Sequence, residues 1–312
     1  MEKIQDAIAK ARATRGRDRA EPGPARVPAG GQASVPTGVQ ADTAQAAPLP
    51  LMPQAQMSPA QRNPELAGPT FDPAQIAEHW AALPAFAPKA AHLQRNRIVA
   101  FTPGREATAF DVIRTRLLQQ MRSNGWRRLA ITSPGPGCGK SMLSLNLAFS
   151  LGRSADQRTL VIDMDMRRPS MGKYLGIAQE FNMARVLEGT AAFADNALRY
   201  GKNLAFAPHS GAVRNSAELL QSTQATAALD EISAAYDPTI MIFDMPPMQA
   251  GDDVMAFASR VDCVLLVAAA EETTIKQVDL CERNLATQTN VLGVILNKCR
   301  YMGDEDSYGY YD

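Results

Sequence analysis

The sequence lacks any long apolar stretch. Its longest uninterrupted apolar run, residues 263–270, has eight residues, whereas a membrane-spanning helix needs about 20. The charged N-terminus also lacks the apolar centre of a secretory signal. We therefore expect a cytoplasmic protein that neither spans a membrane nor is secreted.

Cysteine is scarce, and charge of neither sign dominates. The four cysteines form no C-x-x-C pair and no zinc-type spacing, and three of them lie in or beside apolar segments, as buried thiols do. We expect no disulfide bond, as is usual in a reducing compartment. The 32 basic and 32 acidic residues give a formal net charge of zero. This balance argues against a nucleic-acid partner, which a basic face would bind.

Proline and tyrosine are distributed unevenly. Thirteen of the 21 prolines lie between residues 20 and 90, and four of the seven tyrosines lie in the last twelve residues. The Pro/Ala-rich region cannot bury enough apolar surface to offset chain entropy. The sequence thus predicts four parts: a short amphipathic helix (1–15), a disordered linker (16–96), a folded domain (97–300) and a tyrosine-rich tail (301–312). Within the linker, residues 76–83 leave open a transient helix or peptide motif anchored by Trp80.

Apolar, strand-like runs alternate with helical segments in the folded domain. The runs span residues 129–133, 159–163, 204–207, 239–244, 263–269 and 291–297. The helical segments span residues 107–122, 140–152, 217–236 and 274–287. Continuously apolar strands alternating with helices predict an α/β fold, with a mostly parallel sheet covered by helices on both faces.

A glycine-rich segment follows the first predicted strand and precedes a helix. It reads Thr132-Ser-Pro-Gly-Pro-Gly-Cys-Gly-Lys-Ser141. The N–H groups of such a loop bind phosphate oxygens, while Lys140 would reach the β- and γ-phosphates and Ser141 would ligate Mg²⁺. The standard pattern has glycine six residues before the lysine, where Pro134 stands here. The strand–loop–helix context still favours a P-loop over a glycine-rich turn that binds no nucleotide.

Three aspartates come at the ends of predicted strands. Asp163 and Asp165 are two residues apart, so their side chains point to the same face, and Asp244 ends a later apolar run. The carboxyl ends of parallel strands border the nucleotide crevice. Carboxylates gathered there are costly unless a cation or hydrogen bonds satisfy them. Bound Mg²⁺ would do so; a water-exposed acidic turn is the alternative.

Together these motifs resemble those of bacterial protein-tyrosine kinases. Residues 133–141 resemble their Walker A loop, residues 160–169 are similar to their Walker A′ motif, and residues 243–247 resemble their Walker B motif. Weaker landmarks match at residues 218–222 and 294–298. The resemblance covers residues 101–312. It implies a P-loop NTPase-like fold that uses ATP and Mg²⁺ and autophosphorylates a C-terminal tyrosine cluster, in capsule and exopolysaccharide synthesis and export.

The resemblance also implies roles for individual residues. Lys140, Asp163 and Asp165 would be catalytic. A phenol with a pKa of about 10 must lose its proton, and Asp163, ahead of Asp165, is expected to take it. Ser141, Asp165 and Asp244 would hold Mg²⁺, and Asn297 would lie near adenine. The other expected nucleotide contacts are Pro136, Gly137, Cys138, Gly139 and Met142, and the expected phosphate acceptors are Tyr301, Tyr308, Tyr310 and Tyr311.

The chain departs from the family pattern in two respects. The family commonly has a Glu-x-x-Arg-x-x-Arg helix for ring-like self-association. Here Thr108 and Asp111 stand in place of the Glu and the first Arg, and only Arg114 matches. The family's membrane-spanning activator is also absent from this chain. The resemblance therefore implies a separate membrane-spanning partner that brings the kinase to the inner membrane, and self-association for phosphorylation between copies.

Two other functions share these motifs. MinD/ParA-like switch ATPases phosphorylate no protein, and they normally carry a lysine five residues before the P-loop lysine, where Gly135 stands here. A degenerate kinase that acts as a scaffold would be expected to have lost its lysine or an aspartate, and all of them are present. The tail has its own alternative, a disordered acidic end without phosphate acceptors.

Overall fold

The computed structural model describes residues 71–300, which are built around a seven-stranded sheet. The strands lie in the order β3-β4-β2-β5-β1-β6-β7, and all neighbours are parallel except β3, which is antiparallel to β4. The strands are β1 (Arg128–Thr132), β2 (Thr159–Asp163), β3 (Leu198–Tyr200), β4 (Leu204–Ala207), β5 (Ile240–Asp244), β6 (Cys263–Ala269) and β7 (Asn290–Asn297).

Helices cover both faces of this sheet within residues 71–300. They are α1 (Pro73–Ala82), α2 (Ala90–Arg95), α3 (Thr108–Asn124), α4 (Lys140–Gly152), α5 (Met171–Leu175), α6 (Met183–Leu187), α7 (Ser216–Gln221), α8 (Thr223–Tyr236), α9 (Asp253–Ala258) and α10 (Ile275–Ala286). In the described part of the chain, no helix has the length and apolar character needed to cross a membrane.

Alternate side chains of each central strand enter two different cores. In β2, Leu160 and Ile162 pack into one core and Val161 into the other, and all three are fully buried. Burial on both faces explains why the strands are continuously apolar rather than alternating. The predicted α/β class and mostly parallel sheet are confirmed.

The predicted strands agree with the observed ones to within one residue at each end, but two local features differ. The three-residue strand β3 was not predicted, because it is too short to show a pattern. The single helix expected over residues 217–236 is two helices, α7 and α8. Ser222 separates them with extended backbone angles and caps α8 by accepting a hydrogen bond from the Ala225 N–H at 3.0 Å.

The predicted linker boundary at residue 96 is wrong, because residues 71–96 are folded onto the domain. We call this segment the N-terminal strap. Its helix α1 begins with a capping box between Asp72 and Gln75, which stabilises a first turn. Ile76 and Trp80 on that helix are buried in the core. Residues 1–70, with the predicted amphipathic helix, and the predicted tail 301–312 lie outside the described residues.

Specific hydrogen bonds hold the strap in place. The Trp80 indole N–H donates to the Tyr236 carbonyl at 2.7 Å. Farther along, the Phe86 N–H donates to the Arg199 carbonyl, and the Arg199 N–H donates to the Pro84 carbonyl, both at 2.8 Å. The strap therefore pairs with the outer strand β3 and covers part of the edge that β3 would otherwise expose.

Asp111, which stands where the Glu-x-x-Arg-x-x-Arg pattern has its first arginine, forms an internal cluster. Its carboxylate pairs with Arg153, accepts a hydrogen bond from Ser150 at 2.5 Å, and lies 3.5 Å from Arg114. The Arg114 guanidinium also donates to the Ser150 carbonyl at 3.1 Å. Arg114, the one arginine that matches the pattern, therefore contacts residues of its own domain.

Replacing Asp111 with Asn should destabilise the fold by about 1 kcal/mol at pH 7. Although burial alone would raise the pKa of Asp111, Arg153 and Ser150 outweigh it and lower the pKa below its ordinary value. A lowered pKa contributes stability above the unfolded-state pKa of about 3.9, and this is lost as the pH falls through the folded-state pKa. Urea unfolding should therefore show a difference at pH 7 that shrinks below pH 4. An equal loss at pH 7 and pH 3 would contradict this explanation; exposed Glu180→Gln is the matched control.

Candidate functional site

The glycine-rich segment forms a loop between β1 and α4. Gly137 and Gly139 have φ angles of +78° and +93°, in the left-handed region that glycine adopts without strain. A Cβ atom at Gly139 would lie 2.2 Å from the Asn297 side-chain nitrogen. Both features require glycine, and the lack of side chains at these positions leaves the backbone N–H groups open to phosphate oxygens.

Neighbouring segments hold this loop from two sides. The Asn297 amide donates to the Cys138 carbonyl at 2.8 Å, so the end of β7 lies against the loop. On the other side, the Met248 N–H donates to the Ser133 carbonyl at 2.8 Å. Cys138 is buried, whereas Pro136 and Gly137 are exposed at the tip of the loop. The predicted role of Asn297 beside adenine stays a prediction.

The three predicted aspartates come together beside the loop. Asp163 and Asp244 are register partners at the ends of the neighbouring strands β2 and β5, and Asp165 follows two residues later. All three are buried, with at most 3% exposure. The predicted clustering is therefore present, and the alternative of a water-exposed acidic turn is excluded.

Lys140 supplies the positive charge for this cluster. Its Nζ lies 2.9 Å from Asp165 Oδ2. Burial alone would lower the pKa of Lys140, but the carboxylates of Asp244, Asp165 and Asp163 outweigh it and raise the pKa. The lysine is thus held charged at the loop.

Asp163 has both carboxylate oxygens engaged by the backbone. Oδ1 accepts from the Asp165 N–H at 3.2 Å, and Oδ2 accepts from the Ser170 and Met171 N–H groups at 3.3 and 3.1 Å. Burial raises the pKa of Asp163 well above its ordinary value, and the charges of Asp244 and Asp165 add to the effect. These contacts fix the turn that follows β2, so Asp163 positions the residues of that turn, including Asp165.

Asp244 has room for a further partner. Its Oδ1 accepts a weak hydrogen bond from Ser144 at 3.4 Å, and its buried Oδ2 has no hydrogen-bond partner among residues 71–300. Burial raises the pKa of Asp244 despite the nearby charge of Lys140 and a hydrogen bond from Ser141. Carboxylate and hydroxyl oxygens are the ligands that Mg²⁺ prefers. Of the predicted set, Ser141 and Asp244 therefore fit a magnesium ion, whereas Asp165 is engaged by Lys140 at Oδ2 and by the Arg168 N–H at Oδ1.

Two further groups at the site were not predicted. The Ser170 hydroxyl donates to the Ser141 hydroxyl at 3.1 Å. Arg167 donates from Nε to Asp253 at 2.6 Å, and Asp253 also accepts from Ser216. The second group connects the loop after β2 to the first residues of α9 and α7. No sequence pattern marks Asp253 or Ser216, because their contacts come from distant parts of the chain.

Comparisons with known proteins agree with this site. The family model "CobQ/CobB/MinD/ParA nucleotide binding domain" matches residues 129–306. The putative tyrosine-protein kinase EpsB of Ralstonia nicotianae is 28% identical over 200 residues, covering 64% of this chain and 26% of EpsB. The succinoglycan biosynthesis transport protein ExoP of Rhizobium meliloti is 30% identical over 225 residues, covering 70% of this chain and 28% of ExoP.

A solved structure extends the comparison to the fold. The kinase domain of the Escherichia coli tyrosine kinase ETK is 28% identical, with a TM-score of 0.58, and the match covers 67% of this chain and 82% of that structure. The chain spans about a quarter of the length of EpsB and ExoP. It belongs to the family of the CobQ/CobB/MinD/ParA nucleotide-binding domain, and its P-loop domain is of the bacterial tyrosine-kinase catalytic type.

Proposed function

We propose that this chain is an ATP- and Mg²⁺-dependent protein-tyrosine kinase that phosphorylates its own C-terminal tyrosines. The observation that carries the proposal is the convergence of Lys140, Ser141 and three buried carboxylates at one P-loop. Phosphoryl transfer requires mainly positioning and charge stabilisation, and this cluster supplies both. The likeness to tyrosine kinases supports tyrosine as the acceptor.

Each group at the P-loop has a role in this reaction. The loop N–H groups and Lys140 would bind the β- and γ-phosphates of ATP, and Ser141 and Asp244 would hold Mg²⁺. When bound, Mg²⁺ neutralises charge that develops on the transferred phosphate. The acceptor phenol forms a bond to the γ-phosphorus as the bond to ADP breaks, and its proton passes to a carboxylate.

We propose Asp165, rather than Asp163, as the proton acceptor. Both oxygens of Asp163 already accept backbone hydrogen bonds. Asp165 accepts a backbone hydrogen bond at Oδ1, from the Arg168 N–H at 3.0 Å, whereas its Oδ2 pairs with Lys140. Once Lys140 turns to the phosphates, that oxygen is released within the site. Asp163 then acts by holding the loop on which Asp165 lies.

The acceptors would be Tyr301, Tyr308, Tyr310 and Tyr311 of a second copy. The tail follows β7, whose last residue Asn297 contacts the P-loop through Cys138. It therefore starts at the same end of the strands as the nucleotide site. Twelve residues span at most about 40 Å, enough to reach a neighbouring copy. Self-association would bring the two copies together.

We further propose a setting in exopolysaccharide or capsule synthesis and export. The relative ExoP is named for succinoglycan biosynthesis and transport. A separate membrane-spanning protein would recruit and activate the kinase at the inner membrane. The internal contacts of Arg114 with Asp111 and Ser150 support a self-association surface different from the Glu-x-x-Arg-x-x-Arg ring.

Mixing two variants, neither of which can phosphorylate its own tail, tests the proposal. Full-length Lys140→Met keeps the acceptor tail but lacks the catalytic lysine, while a chain truncated after Arg300 keeps the lysine but lacks the tail. After phosphatase treatment and incubation with Mg-ATP, neither alone should form phosphotyrosine in the tail, and the mixture should. Mass spectrometry would locate the phosphate on residues 301–312.

The same assay identifies the competing function. Wild-type chain would be incubated with Mg-ATP, with and without the candidate membrane partner. ATP hydrolysis with no phosphotyrosine under either condition would reject the kinase and favour the switch ATPase. Tyr174→Phe, within the folded domain, is the control for the tail tyrosines and should leave phosphorylation unchanged.

A further inference from the structure

A basic cavity lies at the opposite end of the strands from the P-loop. Its volume is about 250 Å³, and it lies between α1 and the amino-terminal ends of β2 and β4. The P-loop is at the carboxyl-terminal ends, about 16 Å away along a five-residue strand. The lining residues are Ala77, Trp80, Ala81, Arg158, Arg199 and Lys202.

The positive charge of this cavity is poorly compensated. None of its six lining residues is acidic. Arg158 lies 4.0 Å from Asp237, whose carboxylate is held more closely by Arg127 at 2.6 Å. Arg199 donates from Nη1 to the Gly201 carbonyl, but its buried Nε has no partner within residues 71–300. Three cations with little carboxylate compensation favour an anionic ligand.

The backbone holds the lining residues in fixed positions. Arg199 is paired on one side with β4 and on the other with the strap, through Pro84 and Phe86. The Trp80 ring is fixed by its hydrogen bond to Tyr236. The cavity is thus a preformed notch with one aromatic wall, and binding would require little ordering of the protein.

We propose that this cavity binds a phosphotyrosine side chain from the C-terminal tail of a second copy, a proposal that rests on the proposed kinase activity. The phosphate would meet Arg158, Arg199 and Lys202, and the ring would lie against Trp80. The tail offers charge complementarity, because residues 301–312 contain four acidic and no basic residues. Each phosphate adds a further charge of about −1.5 to −2.

Residue 300, after which the tail begins, lies far from the cavity of the same copy. It follows β7 at one edge of the sheet, whereas the cavity is lined by Arg199 of β3 at the other edge. Six strand spacings amount to about 29 Å, and the two also lie at opposite ends of the strands. A tail from a second copy does not have to cross this distance, so we assign the ligand to another copy.

Binding of a synthetic tail peptide tests this site without relying on kinase activity. Fluorescein-labelled peptides of residues 301–312, with and without phosphate on Tyr308, would be titrated into phosphatase-treated full-length protein, with anisotropy as the readout. We expect the phosphopeptide to bind at least about tenfold more tightly. In a Trp126→Phe variant, Trp80 is the remaining tryptophan, and its fluorescence should change on binding.

Substitutions in the cavity locate the binding. Arg199→Gln with Lys202→Gln should remove the preference for phosphopeptide, and Lys202→Glu alone, at an exposed position, should weaken it with little risk to folding. Arg283→Gln on exposed α10 is the matched control and should bind like the wild type. Equal binding of both peptides, or full binding by the cavity variants, would overturn the proposal.

Competition with ATP separates this site from the nucleotide site. A non-hydrolysable ATP analogue with Mg²⁺, which cannot phosphorylate the tails, should leave phosphopeptide binding unchanged, and displacement by the analogue would place the peptide in the P-loop and overturn the proposal. If the mixture of the two variants forms no phosphotyrosine, the kinase proposal fails while the peptide titration still gives a result. The two failures are therefore distinguishable.

Discussion

Replacing Lys140 with Met should reduce tail phosphorylation by about 10²–10³-fold. The lysine would contact the transferred phosphate, and methionine keeps most of its length while removing the charge. Quantitative mass spectrometry of residues 301–312 over time measures the rate. Lys173→Met, an exposed lysine on α5, is the matched control and should retain full activity. A Lys140→Met protein that phosphorylates at the wild-type rate would remove this residue from the mechanism.

The same substitution should also destabilise the nucleotide-free protein, by about 3 kcal/mol. Without Lys140, the buried Asp165 loses its partner at 2.9 Å, and three carboxylates face one another. The double variant Lys140→Met with Asp165→Asn should therefore be more stable than Lys140→Met alone, while remaining inactive. Urea unfolding measures both proteins. Equal stability of the single and double variants would show that the pair is not coupled.

Replacing Asp244 with Asn should abolish activity and stabilise the nucleotide-free fold. Activity should fall by at least about 10²-fold, because Asp244 is one of the two proposed Mg²⁺ ligands. Stability should rise by about 1–3 kcal/mol, because a buried carboxylate oxygen without a partner is replaced by a neutral group of the same shape. Unfolding is measured without nucleotide or magnesium, and phosphotyrosine formation with both.

A loss of activity together with a gain of stability would distinguish a metal ligand at Asp244 from a structural aspartate. A merely structural aspartate would lose stability and activity together. Asp252→Asn, whose side chain is 78% exposed, provides the control and should change neither quantity appreciably. A destabilised Asp244→Asn protein would show that the carboxylate is already satisfied without a metal ion.

The central sheet and P-loop were predictable because their signals are local. Apolar runs mark β1, β2 and β5 directly, and the glycines of the loop lie next to one another in sequence. Asp163 shows where local reasoning ends. Its position at the end of β2 was predictable, but its bonds to the Ser170 and Met171 N–H groups depend on a turn seven residues long.

The strap illustrates a second limit of sequence reasoning. Its proline and alanine content resembles that of the preceding segment, so composition placed residues 71–96 in the linker. The capping box at Asp72 and Gln75 was a local signal of the helix α1. The burial of Trp80, however, comes from contact with Tyr236, which lies 156 residues away. Tertiary packing therefore decided the outcome.

The positions of the basic cavity and of the tail determine the symmetry of any assembly they form. The cavity and the end of β7, from which the tail continues, lie at opposite edges of the sheet and at opposite ends of its strands. A contact between them joins two different surfaces, so it is heterologous and each copy both gives a tail and receives one. Repetition of such a contact closes a ring or extends an open filament. A two-fold dimer could satisfy it only by exchanging both tails at once.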